Sequence, residues 1–222
     1  MLLQYYLEQL DYKNMPLFLR KYFECPFLNR LMKVGYFSEY ISRFAHSLTT
    51  SLLTYKVTKD KTMIVAALFH DVATPCFSQI IDYMNEDYEK QESTEELTED
   101  IIKNDKYLLK CLKEDNIGVD DVINFKKFSI VDNDRPKCCA NRLDSVILTG
   151  ISWTKNIAKD DIKNIISDVR VFKNEDNEDE IDFNNRDVVS KIVYVSKSID
   201  LYCHTNEDNY MIKLLATITK LY

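Results

Sequence analysis

The stretch MIVAALFHDVATP, residues 63–75, decides the fold, because it ends an all-apolar helix with the pair His70 and Asp71. A helix that is apolar on every side is surrounded by protein rather than lying on the surface. A buried carboxylate beside a buried imidazole is costly, and a divalent cation compensates both groups at once. Pro75 cannot continue the helix, so the chain turns just after Asp71 and both side chains can converge from the helix end.

Two other segments bring candidate ligands toward the same point. SRFAHSL, residues 42–48, carries His46 on a helix, and CCANRLDS, residues 138–145, carries Asn141 and Asp144 one turn apart. Imidazole combined with carboxylate suits Mn, Fe, Ni, Co or Zn better than Mg or Ca. The three segments therefore predict a divalent metal site, which either Asn141 or Asp144 completes.

Composition excludes several other classes of protein. The chain has 222 residues, 45% of them apolar, and a formal charge of −7 without a basic block, so we expect no nucleic acid partner. The three glycines are too far apart for a GxGxxG turn or a P-loop. The amino terminus lacks a cationic start followed by a long apolar run, and the apolar run Met63 to Phe69 is too short to span a bilayer. We expect a cytoplasmic protein without disulfides or membrane association.

Helical periodicity dominates the chain and predicts an all-α bundle of roughly ten or eleven helices. Predicted helices include Phe37 to Val57, Lys61 to Ala73 and Pro136 to Ser152. Alternation at period two around an acidic turn predicts one small surface β-hairpin at residues 169–183. No linker divides the chain, so we predict a single domain over residues 1–222, with a metal-site core at 27–145 and a helical extension with the hairpin at 146–222.

These motifs resemble the HD-domain metal-dependent phosphohydrolase superfamily, whose signature is a histidine, an adjacent His-Asp and a later aspartate. Within it, the chain is most similar to the deoxynucleoside triphosphate triphosphohydrolase branch. The resemblance rests on RFAHSL at residues 43–48, HDVATPCFSQ at 70–79 followed by Asp82, and CANRLD at 139–144.

The resemblance implies an HD-domain helical fold, phosphohydrolase activity and a role for each matching residue. The implied metal ligands are His46, His70, Asp71 and Asn141. It also implies that Arg43 and Arg142 contact phosphate and that Asp82 has a catalytic role. The branch has a catalytic histidine near Gln91-Glu92, where this chain has none, so Glu92 is an alternative proton carrier.

The chain departs from the branch at several positions. Asn141 replaces an aspartate ligand, and histidines expected at Thr74 and Gln79 are absent. Plainer interpretations stay open: Asn141 as an ordinary buried amide, the two arginines as salt-bridge formers, and Asp82 as a helix-surface carboxylate.

Two functions follow, in different classes. The first is a divergent HD phosphohydrolase that acts on a nucleotide or another small phosphate compound. The second is a catalytically impaired HD module that binds a nucleotide or a protein partner. A plain helical scaffold ranks last, because protein groups alone would then have to satisfy the buried cluster. The resemblance also implies a homo-oligomer.

Overall fold

The protein is mostly helical, as the periodicity predicts. The computed structural model describes residues 2–36, 38–87, 93–203 and 205–221. Its α-helices are α1 (Leu2–Gln9), α2 (Leu17–Arg20), α3 (Pro26–Arg30), α4 (Arg43–Thr58), α5 (Lys61–Phe69), α6 (Ser78–Met84), α7 (Thr98–Asn104), α8 (Lys106–Asp115), α9 (Val119–Ile123), α10 (Ala140–Ser152), α11 (Lys159–Asp168), α12 (Arg186–Cys203) and α13 (Asn206–Lys220). The all-α prediction is therefore confirmed, although α1 and α3 were not anticipated.

Two antiparallel hairpins accompany the helices. The first joins β1 (Gly35–Tyr36) to β2 (Ser38–Ser42), and the second joins β3 (Val169–Lys173) to β4 (Asp179–Phe183). The second hairpin confirms the prediction at residues 169–183. It is less peripheral than expected, because β4 turns Ile181 and Phe183 into the core. Ile181 also donates its backbone N–H to the carbonyl of Cys138, so the hairpin braces the segment that leads into α10.

Helix α5 is the centre of the fold. Its residues from Ile64 to Phe69 are fully buried, as expected for a helix that is apolar on every side. Asp60 caps its start by accepting the backbone N–H of Met63 at 2.9 Å. Helix α4 packs along α5, and the Ser51 hydroxyl joins the two by donating to the carbonyl of Ile64 at 2.8 Å.

The prediction of a helix over Lys61 to Ala73 is too long by four residues. The helix ends at Phe69, and the next residues form tight turns in which Val72 and Thr74 donate backbone N–H groups to Phe69 and Asp71. Arg30 fixes this turn, because its guanidinium donates to the carbonyls of Val72 and Thr74 at 2.9 and 2.8 Å. His70 and Asp71 therefore lie just beyond the helix end, where adjacent side chains can converge.

The predicted helix over Phe37 to Val57 is wrong at its start. Residues 38–42 form strand β2, and α4 begins at Arg43 because the Ser42 hydroxyl accepts the backbone N–H of Ala45 at 3.2 Å. Phe37 lies outside the described residues. This start places Arg43 and His46 in the first turns of α4, facing the end of α5.

Among the helices that the structure describes, none has both the length and the apolar character needed to span a membrane.

Candidate metal centre

His46 is buried and its two ring nitrogens have different partners. Nδ1 lies 2.8 Å from Oδ2 of Asp144, and Nε2 lies 3.3 Å from Nε2 of His70. In a neutral imidazole, the carboxylate draws the proton to Nδ1 and leaves a lone pair on Nε2. The ligand nitrogen of His46 is thus directed at His70.

His70 has the same division of roles. Its Nδ1 donates to the backbone carbonyl of Ala67 at 2.7 Å, which leaves the lone pair on Nε2. Burial lowers the pKa of His70 below its ordinary value, which favours the neutral ring. Both imidazoles therefore offer an unprotonated Nε2 to the same point.

Asp71 supplies a carboxylate at this point. Its Oδ2 lies 3.7 Å from Nε2 of His46 and 3.7 Å from Nε2 of His70, while Nη1 of Arg43 donates to it at 2.9 Å. Thr74 donates its hydroxyl to the other oxygen at 3.0 Å. Burial would raise the pKa of Asp71, but the Arg43 guanidinium beside it holds the pKa well below its ordinary value. The carboxylate is ionised and acts only as an acceptor.

Asn141 completes the cluster from the first turn of α10. Its Oδ1 lies 3.1 Å from Nε2 of His46. Ligands about 2.1 Å from one ion are separated by roughly 3.0 Å in octahedral and 3.4 Å in tetrahedral geometry. The observed separations of 3.1 and 3.3 Å lie within this range, and that of 3.7 Å exceeds it by a few tenths of an ångström. The donor set of two imidazoles, a carboxylate and an amide oxygen fits a divalent transition metal.

Asp144 lies behind His46 rather than beside the converging nitrogens. It is completely buried and accepts three hydrogen bonds, from the Tyr6 hydroxyl at 2.6 Å, the Thr49 hydroxyl at 2.9 Å and Nδ1 of His46. Such a carboxylate fixes the tautomer and the orientation of a ligand histidine. Of the two residues that could complete the site, Asn141 faces the ligand nitrogens and Asp144 supports the ring.

Tyr36 is a site residue that the sequence did not reveal. Its ring stacks on His46 with centroids 4.3 Å apart and planes 14° from parallel. The Arg43 guanidinium lies over the same ring at 4.8 Å, and the Tyr36 hydroxyl is hydrogen-bonded to Ser145. Tyr36 thereby fixes both His46 and Arg43. It belongs to the first hairpin, which no sequence pattern predicts.

Arg43 has one donor without a partner. Nη1 pairs with Asp71 and Nη2 reaches the Ser78 hydroxyl at 3.5 Å, but the buried Nε–H makes no hydrogen bond among the described residues. A buried unsatisfied donor is costly and indicates a missing acceptor. Arg43 is therefore both a salt-bridge partner, as the plainer interpretation holds, and an available donor.

Arg142 is largely committed to the chain itself. Its guanidinium donates to the side-chain and backbone oxygens of Asn133, both at 2.7 Å, and to the carbonyl of Lys137. These bonds hold the loop before α10. Together with Asn141, Arg142 lines a cleft of about 890 Å³, to which Lys126, Lys127, Arg135, Lys137 and four acidic side chains also contribute.

Asp82 lies on α6 and is buried, not on the helix surface as the plainer interpretation holds. It accepts the Ser93 hydroxyl at 2.8 Å, which ties α6 to the chain beyond residue 92. Burial raises the pKa of Asp82, an effect that the Ser93 hydrogen bond partly offsets. Glu92, the alternative proton carrier, lies outside the described residues.

Comparison with protein families agrees with this geometry. The HD domain family model matches residues 43–136, a range that contains His46, His70 and Asp71. This segment of the chain is therefore similar to an HD domain. No curated protein matches the chain. The HD match ends before Asn141, and the resemblance to the deoxynucleoside triphosphate branch stays a prediction.

Proposed function

We propose that this HD-domain protein is a divergent metal-dependent phosphohydrolase that acts on a nucleotide or another small phosphate compound. One observation carries the proposal. Three acceptor atoms lie within 3.7 Å of His46 Nε2, which carries a lone pair itself. They are His70 Nε2, Asp71 Oδ2 and Asn141 Oδ1. Acceptors facing one another in a buried space repel, and a cation removes that repulsion.

A phosphate group fits the surroundings of this cluster. The unpaired Nε–H of Arg43 is a charge-assisted donor, and the guanidinium already contacts the Asp71 ligand. Arginine is the residue best suited to bind phosphate oxygens. The cleft beside Asn141 has the volume of a small-molecule site, and five basic and four acidic side chains line its walls.

The bound ion would supply Lewis-acid polarisation of a phosphoryl oxygen and would lower the pKa of a nearby water. The chain contributes the remaining elements of hydrolysis. Arg43 would orient the phosphate and stabilise the negative charge that grows on it. Asp82 has a raised pKa and interacts electrostatically with Arg43, so it is our proposed proton carrier. Asp71 and the two imidazoles, which hold no proton on their facing atoms, would keep the ion in place.

The second candidate is an impaired HD module that binds a nucleotide or a protein partner without turnover. Two observations favour it. Asn141 brings no charge to the cluster, which lowers metal affinity relative to an aspartate. Arg142 donates most of its N–H groups to Asn133 and Lys137, so fewer N–H groups remain for a phosphate.

Elemental analysis and a hydrolysis screen would separate these candidates. The purified chain is loaded with Mn, Co, Ni, Fe or Zn and tested on deoxynucleoside triphosphates, ribonucleoside triphosphates, nucleoside monophosphates and simple phosphate esters. His70→Ala should lose both metal and turnover, whereas Asn164→Ala, on the exposed side of α11, should keep both. Metal with turnover supports the enzyme, and metal without turnover supports the module. Absence of both from the wild-type chain leaves only a helical scaffold.

A further inference from the structure

The last helix exposes its apolar side to solvent. Six large apolar side chains of this region are between 38% and 78% exposed: Tyr210, Met211, Leu214, Leu215, Ile218 and Leu221. On an ideal helix with 100° between residues, all six fall within an arc of about 140°. We call them the α13 stripe.

The α13 stripe is not the face by which this helix attaches to the protein. Helix α13 packs on α6, and Ala216 is its buried residue. Ala216 lies about 160° from Ile218 around the helix, so the small residue faces inward and the large ones face outward. An exposed apolar surface of several hundred Å² is of the size that often serves as an interaction site.

The spacing of the stripe is that of a helix-pairing seam. Met211, Leu214, Ile218 and Leu221 follow one another at intervals of three, four and three residues, the a/d pattern of two heptads. Tyr210 and Leu215 flank the seam and widen it. A seam of this kind is complementary to another helix with the same pattern, because side chains of each helix fit between those of the other.

We propose that the α13 stripe pairs with the same helix of a second copy of this chain, in antiparallel orientation. The charge at the start of the helix favours this orientation. Glu207 lies in the first turn and falls within the arc of the stripe. Parallel pairing would place the Glu207 side chains of the two copies together. Antiparallel pairing separates them and also aligns the helix dipoles favourably.

The area of the stripe sets the strength of the dimer. Six large side chains at about half exposure present roughly 500 Å² of apolar surface, if each large side chain has 150 to 200 Å². Two stripes would bury about 1,000 Å², the low end for a specific interface. We therefore expect a monomer–dimer equilibrium in the micromolar range.

Sedimentation velocity of the full chain across the micromolar range tests this directly. The wild-type chain should shift from monomer to dimer as its concentration rises. Leu214→Glu or Ile218→Glu should weaken dimerisation by at least about tenfold, because a charge would be buried in the seam. Thr219→Glu is the matched control. It adds the same charge next to Ile218 on an exposed position whose hydroxyl bonds only within its own helix, and it should leave dimerisation unchanged.

Cross-linking tests the orientation. Antiparallel pairing that superposes the two stripes places residue 214 of one copy opposite residue 218 of the other, so a mixture of Leu214→Cys and Ile218→Cys should form disulfide dimers faster than either variant alone. Faster cross-linking of a single variant would overturn the antiparallel arrangement. A wild-type chain that is monomeric at every concentration, or a dimer that Ile218→Glu leaves intact, would overturn the proposal and assign the stripe to a different kind of partner.

Discussion

Replacing Asn141 by aspartate is the sharpest perturbation of the candidate metal centre. It places a carboxylate at the position where the resemblance implies an aspartate ligand, with almost no change in side-chain volume. If the cluster holds an ion, the substitution should act in opposite directions on two measurable quantities. The metal-free protein should become less stable, and metal binding should become tighter.

The structure sets the size of both effects. Asn141 Oδ1 and Asp71 Oδ2 lie 3.1 and 3.7 Å from the same nitrogen of His46, so they are at most about 7 Å apart. Two negative charges at that separation repel by about 2 kcal/mol at an effective dielectric constant near 20. That loss corresponds to a decrease of roughly 4–8 °C in melting temperature for a chain of this length. Relief of the same repulsion by the ion strengthens binding by about thirtyfold.

Thermal unfolding and metal titration near neutral pH measure the two effects on wild type and Asn141→Asp. Asn164→Asp makes the same chemical change at an exposed position of α11 and should alter neither quantity. The reasoning is refuted if Asn141→Asp leaves the metal-free melting temperature unchanged. It is equally refuted if the variant binds Mn or Zn no more tightly than the wild-type chain.

Three further predictions concern residues around the cluster. Asp144→Asn should weaken metal binding about 10- to 100-fold and lower the free energy of unfolding by about 1–3 kcal/mol. Tyr6→Phe should lower the free energy of unfolding by about 1 kcal/mol and leave metal affinity unchanged. Urea unfolding and metal titration of both variants measure these effects. Arg43→Lys should raise the KM for a phosphate substrate about tenfold while keeping metal affinity, because lysine has charge but no Nε–H; equal losses in both would contradict a phosphate contact. Burial raises the pKa of Asp82 in the folded state. The stability of wild type relative to Asp82→Asn should therefore fall as pH rises from the ordinary carboxyl pKa through the raised one, as measured by urea unfolding. A stability difference that is constant over this range would show that the pKa is unshifted.

The sequence predicts the parts of this site that come from one local pattern. The apolar run before His70 and the proline after Asp71 indicate a buried helix end, and the structure has a helix end there. The alternation around residues 169–183 likewise predicts the second hairpin. Each of these signals is short-range, so a single stretch of the chain contains all the information that it needs.

The parts that were missed depend on contacts between distant segments. Tyr6 reaches Asp144 across 138 residues, and the short first hairpin brings Tyr36 onto His46. Neither tyrosine belongs to a sequence motif. The pattern of residues 38–42 predicts the beginning of α4, whereas the Ser42 cap in the structure starts the helix at Arg43. Tertiary packing around the ligands determines which residues support a metal site. The periodicity of apolar residues along the sequence does not predict that packing.

The choice between Asn141 and Asp144 shows what such packing decides. Both residues lie on α10 one turn apart, and by charge alone Asp144 is the better ligand. The structure gives Asp144 three donors, from Tyr6, Thr49 and His46, so its oxygens are occupied and turned away from the converging nitrogens. The Asp144 carboxylate fixes the tautomer of His46 and does not face the metal position. The neutral amide of Asn141 faces the cluster instead. The affinity for a metal ion therefore depends on how much binding free energy is lost with one missing negative charge.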